Sequence, residues 1–83
     1  MLIRVKLFAR ARDLAGAAEA FVSLSDDATV ADLRHALAEK YPAMAGILSR
    51  SAIAVADDFA ADTQLIPEGA EVALLPPVSG GGA

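Results

Sequence analysis

Three consecutive glycines follow a proline pair near one end of the sequence: Pro76-Pro77-Val78-Ser79-Gly80-Gly81-Gly82-Ala83. Two prolines cannot donate to a sheet ladder and so close whatever strand precedes them. Glycines have no side chain to pack and a large backbone entropy to lose. The chemistry such a segment can do is that of a carboxylate on a thin peptide, delivered into a narrow site on another protein. Eight residues from Pro76 extend roughly 25 Å. The expectation is a flexible tail, residues 78–83, that orders only in complexes. The plainer alternative is a frayed terminus.

Elsewhere a self-contained active site is hard to assemble. His35 is the only histidine and sits beside Arg34 in a helical pattern, which reads as a solvated helix residue. Ser23, Ser25, Ser49, Ser51 and Ser79 have no evident base, so a Ser-His-acid triad is not supported. Asp57, Asp58 and Asp62 raise a hard-cation site, but they lack the glycine and bidentate glutamate of a calcium loop and read as a solvated turn. No phosphate-binding glycine pattern precedes a helix. Phe8, Phe59 and Leu75 are apolar residues close to the tail or on outer strands. They fill the core or form an exposed patch that marks a partner surface.

The elements that must position these residues fit one small domain of residues 1–77, carried by a chain of 83 residues. The formal charge is −4, which argues against nucleic-acid binding, since phosphate neutralisation needs clustered Lys and Arg. Arg4, Lys6, Arg10 and Arg12 gather near the N-terminus and the acids spread over the rest, so a basic partner surface is expected. There is no cysteine, which excludes disulfides and thiolate chemistry. No apolar run approaches the length of a membrane span or a signal peptide, and a cytoplasmic protein is the expectation.

Leu2 to Ala9 alternates as a strand, with Arg4 and Lys6 on one face and Val5 and Leu7 on the other. Ala11 to Gly16 is one or two helical turns, or a loop. Glu19 to Leu24 is a second strand, antiparallel to the first. Thr29 caps a helix from Val30 to Lys40, with Asp32 completing a capping box and Val30, Leu33, Leu37 and Tyr41 on one face. Pro42 ends it. Ile53 to Ala56, a return at Phe59-Ala60 and Glu71 to Leu75 supply the remaining strands. The expected core includes Leu2, Phe8, Phe21, Leu24 and Leu65 beside Val5, Leu7, Leu33, Ile53, Val72 and Leu74. The order predicts an α+β fold: a β-grasp, with a mixed sheet of four or five strands, the last returning beside the first, and one main helix across one face.

Three segments carry a resemblance to a known family. Ile3-Arg4-Val5-Lys6-Leu7-Phe8-Ala9-Arg10-Ala11-Arg12-Asp13-Leu14-Ala15-Gly16 and Thr29-Val30-Ala31-Asp32-Leu33-Arg34 are similar to the small subunits of molybdopterin synthase. The most specific match is the ending Gly69 to Gly81, with Pro-Pro-Val-Ser-Gly-Gly after a final strand. The resemblance implies a ubiquitin-like β-grasp and a sulfur carrier with no bound cofactor. A partner activating enzyme, using ATP-Mg, adenylates the terminal glycine carboxylate, which becomes a thiocarboxylate. The tail then enters the large subunit of a heterotetrameric synthase, where its sulfur passes to cyclic pyranopterin monophosphate.

The resemblance implies Gly81 as the sulfur-bearing residue, preceded by Gly80. It also implies Phe8, Arg12, Phe59, Leu75, Pro76, Pro77 and Val78 as the partner interface. The family ends at Gly-Gly, so Gly82 and Ala83 depart from its pattern: the tail is trimmed to Gly81, or only Ala83 is removed and Gly82 is the terminus, or both residues are native and the chain is inactive as it stands. The Pro-Pro-Val-Ser-Gly-Gly register favours Gly81. Carriers for thiazole or tRNA thiolation, a protein-conjugating modifier, and a non-carrier interaction domain with an inert tail remain as other readings.

Overall fold

The structure, a computed structural model, describes residues 1–77. It orders five strands and three helices: β1 (Leu2–Leu7), α1 (Ala9–Ala15), β2 (Glu19–Ser23), α2 (Val30–Lys40), α3 (Ala45–Leu48), β3 (Ala52–Val55), β4 (Asp58–Phe59) and β5 (Val72–Leu75), with a 3-10 turn at Pro42–Met44. The strands form one sheet in the order β2-β1-β5-β3-β4. β1 and β2 pair antiparallel, β1 and β5 parallel, and β3 pairs antiparallel with both β5 and β4. The last strand therefore lies in the centre, beside the first, and α2 closes the inner face. This is the expected β-grasp.

The core sits between that inner face and the helices. Val5, Leu7, Val72, Leu74, Ile53 and Val55 point inward from the sheet, and Val30, Leu33 and Leu37 meet them from α2. α2 starts as its sequence requires. The Asp32 amide donates to Thr29 Oγ1 at 3.3 Å, and the Thr29 amide donates to Asp32 Oδ2 at 2.9 Å. Each bond satisfies an amide that the first turn of a helix leaves without a partner. α1 ends on Gly16 in the left-handed conformation, with φ 71°, where glycine carries no Cβ penalty.

Arg34 does more than solvate a helix. Its Nε meets Asp62 Oδ1 at 2.8 Å, and its Nη1 donates to the carbonyls of Leu48 and Ser51 at 2.5 and 2.7 Å. One guanidinium thus ties α2 to the end of α3 and to the loop before β5. Asp62 is thereby accounted for as an ion-pair partner.

The expected core needs correction in four places. Leu2, Phe8, Phe21 and Leu65 are exposed. Leu2 alternates with Ile3, and it is Ile3 that turns inward. Phe21 pairs across the ladder with Arg4 and so shares its outer face. Leu65 yields the interior to its neighbour Ile66, and Met44, Ala11, Ala20 and Ala28 complete the core with small or flexible side chains.

Two non-glycine residues form the turn between β3 and β4: Ala56 at φ 52° and Asp57 at φ 72°. A two-residue hairpin of this hand favours Asn-Gly, because both central residues take positive φ. Alanine there costs about 1 kcal/mol. Ala56→Asn should therefore raise stability by about 0.5–1 kcal/mol, read as a higher denaturant midpoint at unchanged slope. An unchanged or lower midpoint would show that the turn stores no strain. In the core, Leu33→Ala should cost about 2–5 kcal/mol in the same titration.

Candidate functional site

Strand β5 leaves the sheet at a defined level. Leu74 is in register with Leu7 on one side and Ile53 on the other, and Leu75 pairs with Ala52. One residue later both neighbours are gone. On the β1 side the chain turns at Ala9, held at φ 50°, into α1. On the other side β3 begins only at Ala52. Pro76 and Pro77 stand just past the last rungs, where their missing N–H groups forfeit no ladder bond. The chain is launched from the middle of the sheet along the strand direction. Val78, Gly80 and Gly81 lie outside the described residues.

The outer face of the sheet surrounds that exit. Ladder pairing lines up Phe59, Ala54, Ala73, Lys6 and Glu19 in one row across five strands. Ala52 and Leu75 form the next row toward the exit, and the parallel register carried one step further sets Phe8 level with Leu75. The result is a flat floor of Ala52, Ala54 and Ala73. Phe59 stands at one edge, 77% exposed, and Phe8 stands at the other, 44% exposed. Neither phenylalanine is in the core. Leu75 and Pro76 are half-buried, and Pro77 is exposed. Apolar side chains left in water around a flat floor are a surface suited to a partner.

Beside Phe8 the surface dips into a groove of about 510 Å³, walled by Lys6, Phe8, Arg12, Ala18, Glu19 and Phe21. Arg12 comes from α1, which the left-handed Ala9 aims across the end of β1. Lys6 pairs with Glu71 at 3.3 Å and Arg4 with Glu19 at 3.5 Å, so both are charge-balanced on the outer face. Among the described residues Arg10 and Arg12 have no ion-pair partner. The rim of the exit is thus aromatic and cationic on the α1 side and alanine-smooth on the β3 side.

The structure brings Phe8, Arg12, Leu75, Pro76 and Pro77 together at one end of the sheet and leaves Phe59 on the same face at its far edge. Phe21 and the alanine floor belong to this surface as well. Strand alternation was the available signal for Phe21, which shares the face of Arg4, whereas no pattern in the sequence singled out the alanines. His35 is exposed on α2, 3.7 Å from Glu39. Asp57 and Asp58 belong to the β3–β4 turn. Among the described residues no three His, Cys, Asp or Glu side chains gather as metal ligands would, and no helix is long and apolar enough to cross a membrane.

The domain is a ubiquitin-like β-grasp whose central last strand ends beside an open apolar face. The match of the ThiS family over residues 5–81 spans nearly the whole chain, and the chain belongs to that family. It is 32% identical over 83 residues to the molybdopterin synthase sulfur carrier subunit of Chlamydomonas reinhardtii, covering 98% of this chain and all of that one. Among solved structures, SAMP1 from Haloferax volcanii, a small archaeal modifier protein, superposes with a TM-score of 0.83 at 33% identity, covering 96% of this chain and 99% of that one. A putative molybdopterin converting factor subunit 1 from Pyrococcus furiosus superposes with a TM-score of 0.84 at 27% identity, covering 94% and 99%.

Because Phe8 and Phe59 face water, Phe8→Asp and Phe59→Asp should each shift stability by less than about 1 kcal/mol. Thermal melts decide this. A fall in Tm of more than about 8 °C for either variant would return that residue to the core.

Proposed function

We propose that this chain carries sulfur for molybdopterin formation as a thiocarboxylate on Gly81. The observation that carries the reading is the launch of the chain from the centre of the sheet, beside an apolar face, into a glycine run. The family match supports the register, since it ends on Gly81. The relative's name supports the pathway.

The chemistry follows from the carboxylate. A carboxylate is a poor acyl donor, because its leaving group would be oxide. Attack of a Gly81 carboxylate oxygen on the α-phosphorus of ATP expels pyrophosphate and gives an acyl-adenylate. Sulfide delivered by the activating partner then attacks the acyl carbon, AMP leaves, and a thiocarboxylate remains. The domain contributes no reacting group to these steps. It contributes delivery: the alanine floor, Phe8, Phe59 and Leu75 seat the domain on the activating enzyme and on the synthase large subunit in turn. Pro76 and Pro77 hold the exit straight, and glycines let bare backbone pass where a Cβ would collide.

A second reading rests on the likeness to SAMP1. In it the same activated Gly81 carbonyl is attacked by a lysine amine of a target, AMP leaves, and an isopeptide bond forms. Sulfur transfer and conjugation share the adenylate and differ in the nucleophile, so lysine-linked conjugates of this chain would select conjugation.

Activity requires that Gly81 be terminal, because an internal peptide carbonyl offers no acidic oxygen to adenylate. A chain ending at Gly81 should support ATP–pyrophosphate exchange with the activating enzyme, and a chain running to Ala83 should not. Gly81→Ile in the shorter chain should abolish exchange. Equal exchange by both lengths would overturn the assignment of Gly81. In the same assay and in a pull-down with the large subunit, Phe8→Asp should weaken binding while its melt stays near that of the parent.

A further inference from the structure

Strand β2 is an outer edge of the sheet. The Leu7 amide donates to the Ala18 carbonyl and the Leu24 amide to the Met1 carbonyl, and these bonds bracket the β1–β2 ladder. With the register Val5↔Ala20 and Ile3↔Val22, the alternation of an antiparallel pair turns the backbone groups of Ala20 and Val22 toward β1. It turns those of Glu19, Phe21 and Ser23 outward. An edge of this kind, carrying an exposed phenylalanine at its centre, is a template for another strand. One group already occupies it: Lys40, at the end of α2, donates its ammonium to the Phe21 carbonyl.

We propose that the β2 edge is a self-pairing surface for a second copy of this chain, and that Lys40 holds it closed. The edge is self-complementary about Phe21. A two-fold axis there would set Phe21 against Phe21 of the second copy, each amide donating to the other's carbonyl. Glu19 would fall opposite Ser23, with no like charges facing. The two phenylalanine rings, on the same outer face, would cover one another at cross-strand distance. The Phe21 carbonyl is the acceptor this central pair needs, and it is the one that Lys40 takes. Pairing and the lysine contact exclude each other. A strand of five residues with one aromatic pair lies below the size of a stable interface, so the occupied carbonyl decides whether pairing occurs. None of this depends on the chemistry of the tail.

The test is Lys40→Met, which keeps length and helix propensity and removes the donor. Sedimentation equilibrium should show the variant associating about tenfold more tightly than the parent, the scale of one or two freed hydrogen bonds. Amide exchange should slow at Glu19, Phe21 and Ser23 with concentration, while Ala20 and Val22, already bonded to β1, stay unchanged. Adding Phe21→Lys should return the variant to monomer. A Lys40→Met chain that stays as monomeric as its parent overturns the proposal. So does association that leaves Phe21 exchange unaltered, because another surface is then responsible.

Discussion

The parallel pairing of β5 with β1 fixes the rest of the molecule. A parallel neighbour cannot be reached by a tight turn, so everything between the two strands has to serve as connection. That connection is the hairpin to β2, the crossing helix α2, α3 and the β3–β4 hairpin. Once β5 is seated, its inner residues Val72 and Leu74 close the core, both fully buried. Its outer residues Ala73 and Leu75 join the exposed floor. The same strand that completes the interior also sets the direction in which the chain departs. Stability and presentation are consequences of one ladder.

The two faces of the sheet divide the labour. Inward, branched and long aliphatic side chains interlock with α2. Outward, alanines replace them on the two adjacent strands β3 and β5, and the large apolar residues stand at the margins. A flat centre allows a partner's side chains to approach the sheet closely. The charged pairs Lys6–Glu71 and Arg4–Glu19 lie half in water, where such pairs add little stability. They keep the apolar surface from being continuous. Arg34 works in the opposite setting: partly buried, it bonds through Nε and Nη1 to Asp62, Leu48 and Ser51 and fixes α2 to the end of α3 and to the loop between β4 and β5.

Most of the architecture was legible in the sequence because it rests on local signals. Thr29 and Asp32 announced α2, the 3.6-residue spacing gave its buried face, and Pro42 its end. Alternation around Arg4 and Lys6 gave β1. What hydrophobicity alone misplaced were Leu2, Phe21 and Leu65. Each is an apolar residue next to another apolar residue, so composition cannot choose which of the two turns inward. The choice belongs to register, which is a property of paired strands. The alanine floor was illegible for a related reason: alanine is neutral in every pattern, and only the ladder shows that Ala52, Ala54 and Ala73 share a face. Arg34 was unreadable as a tie because its partners lie 14, 17 and 28 residues away. Leu75 was legible as a candidate because it directly precedes the proline pair, and Phe8 because the expected return of the last strand beside the first sets the end of β1 next to that exit.

The central strand is also the last one made. During synthesis β1, β2 and α2 leave the ribosome before residues 72–75 exist to join them, and the gap beside β1 stays open. A nascent or prematurely stopped chain therefore has no closed core to protect it, and proteolysis can remove it. The core closes only once residues 72–75 have been threaded between β1 and β3 in the middle of the sheet.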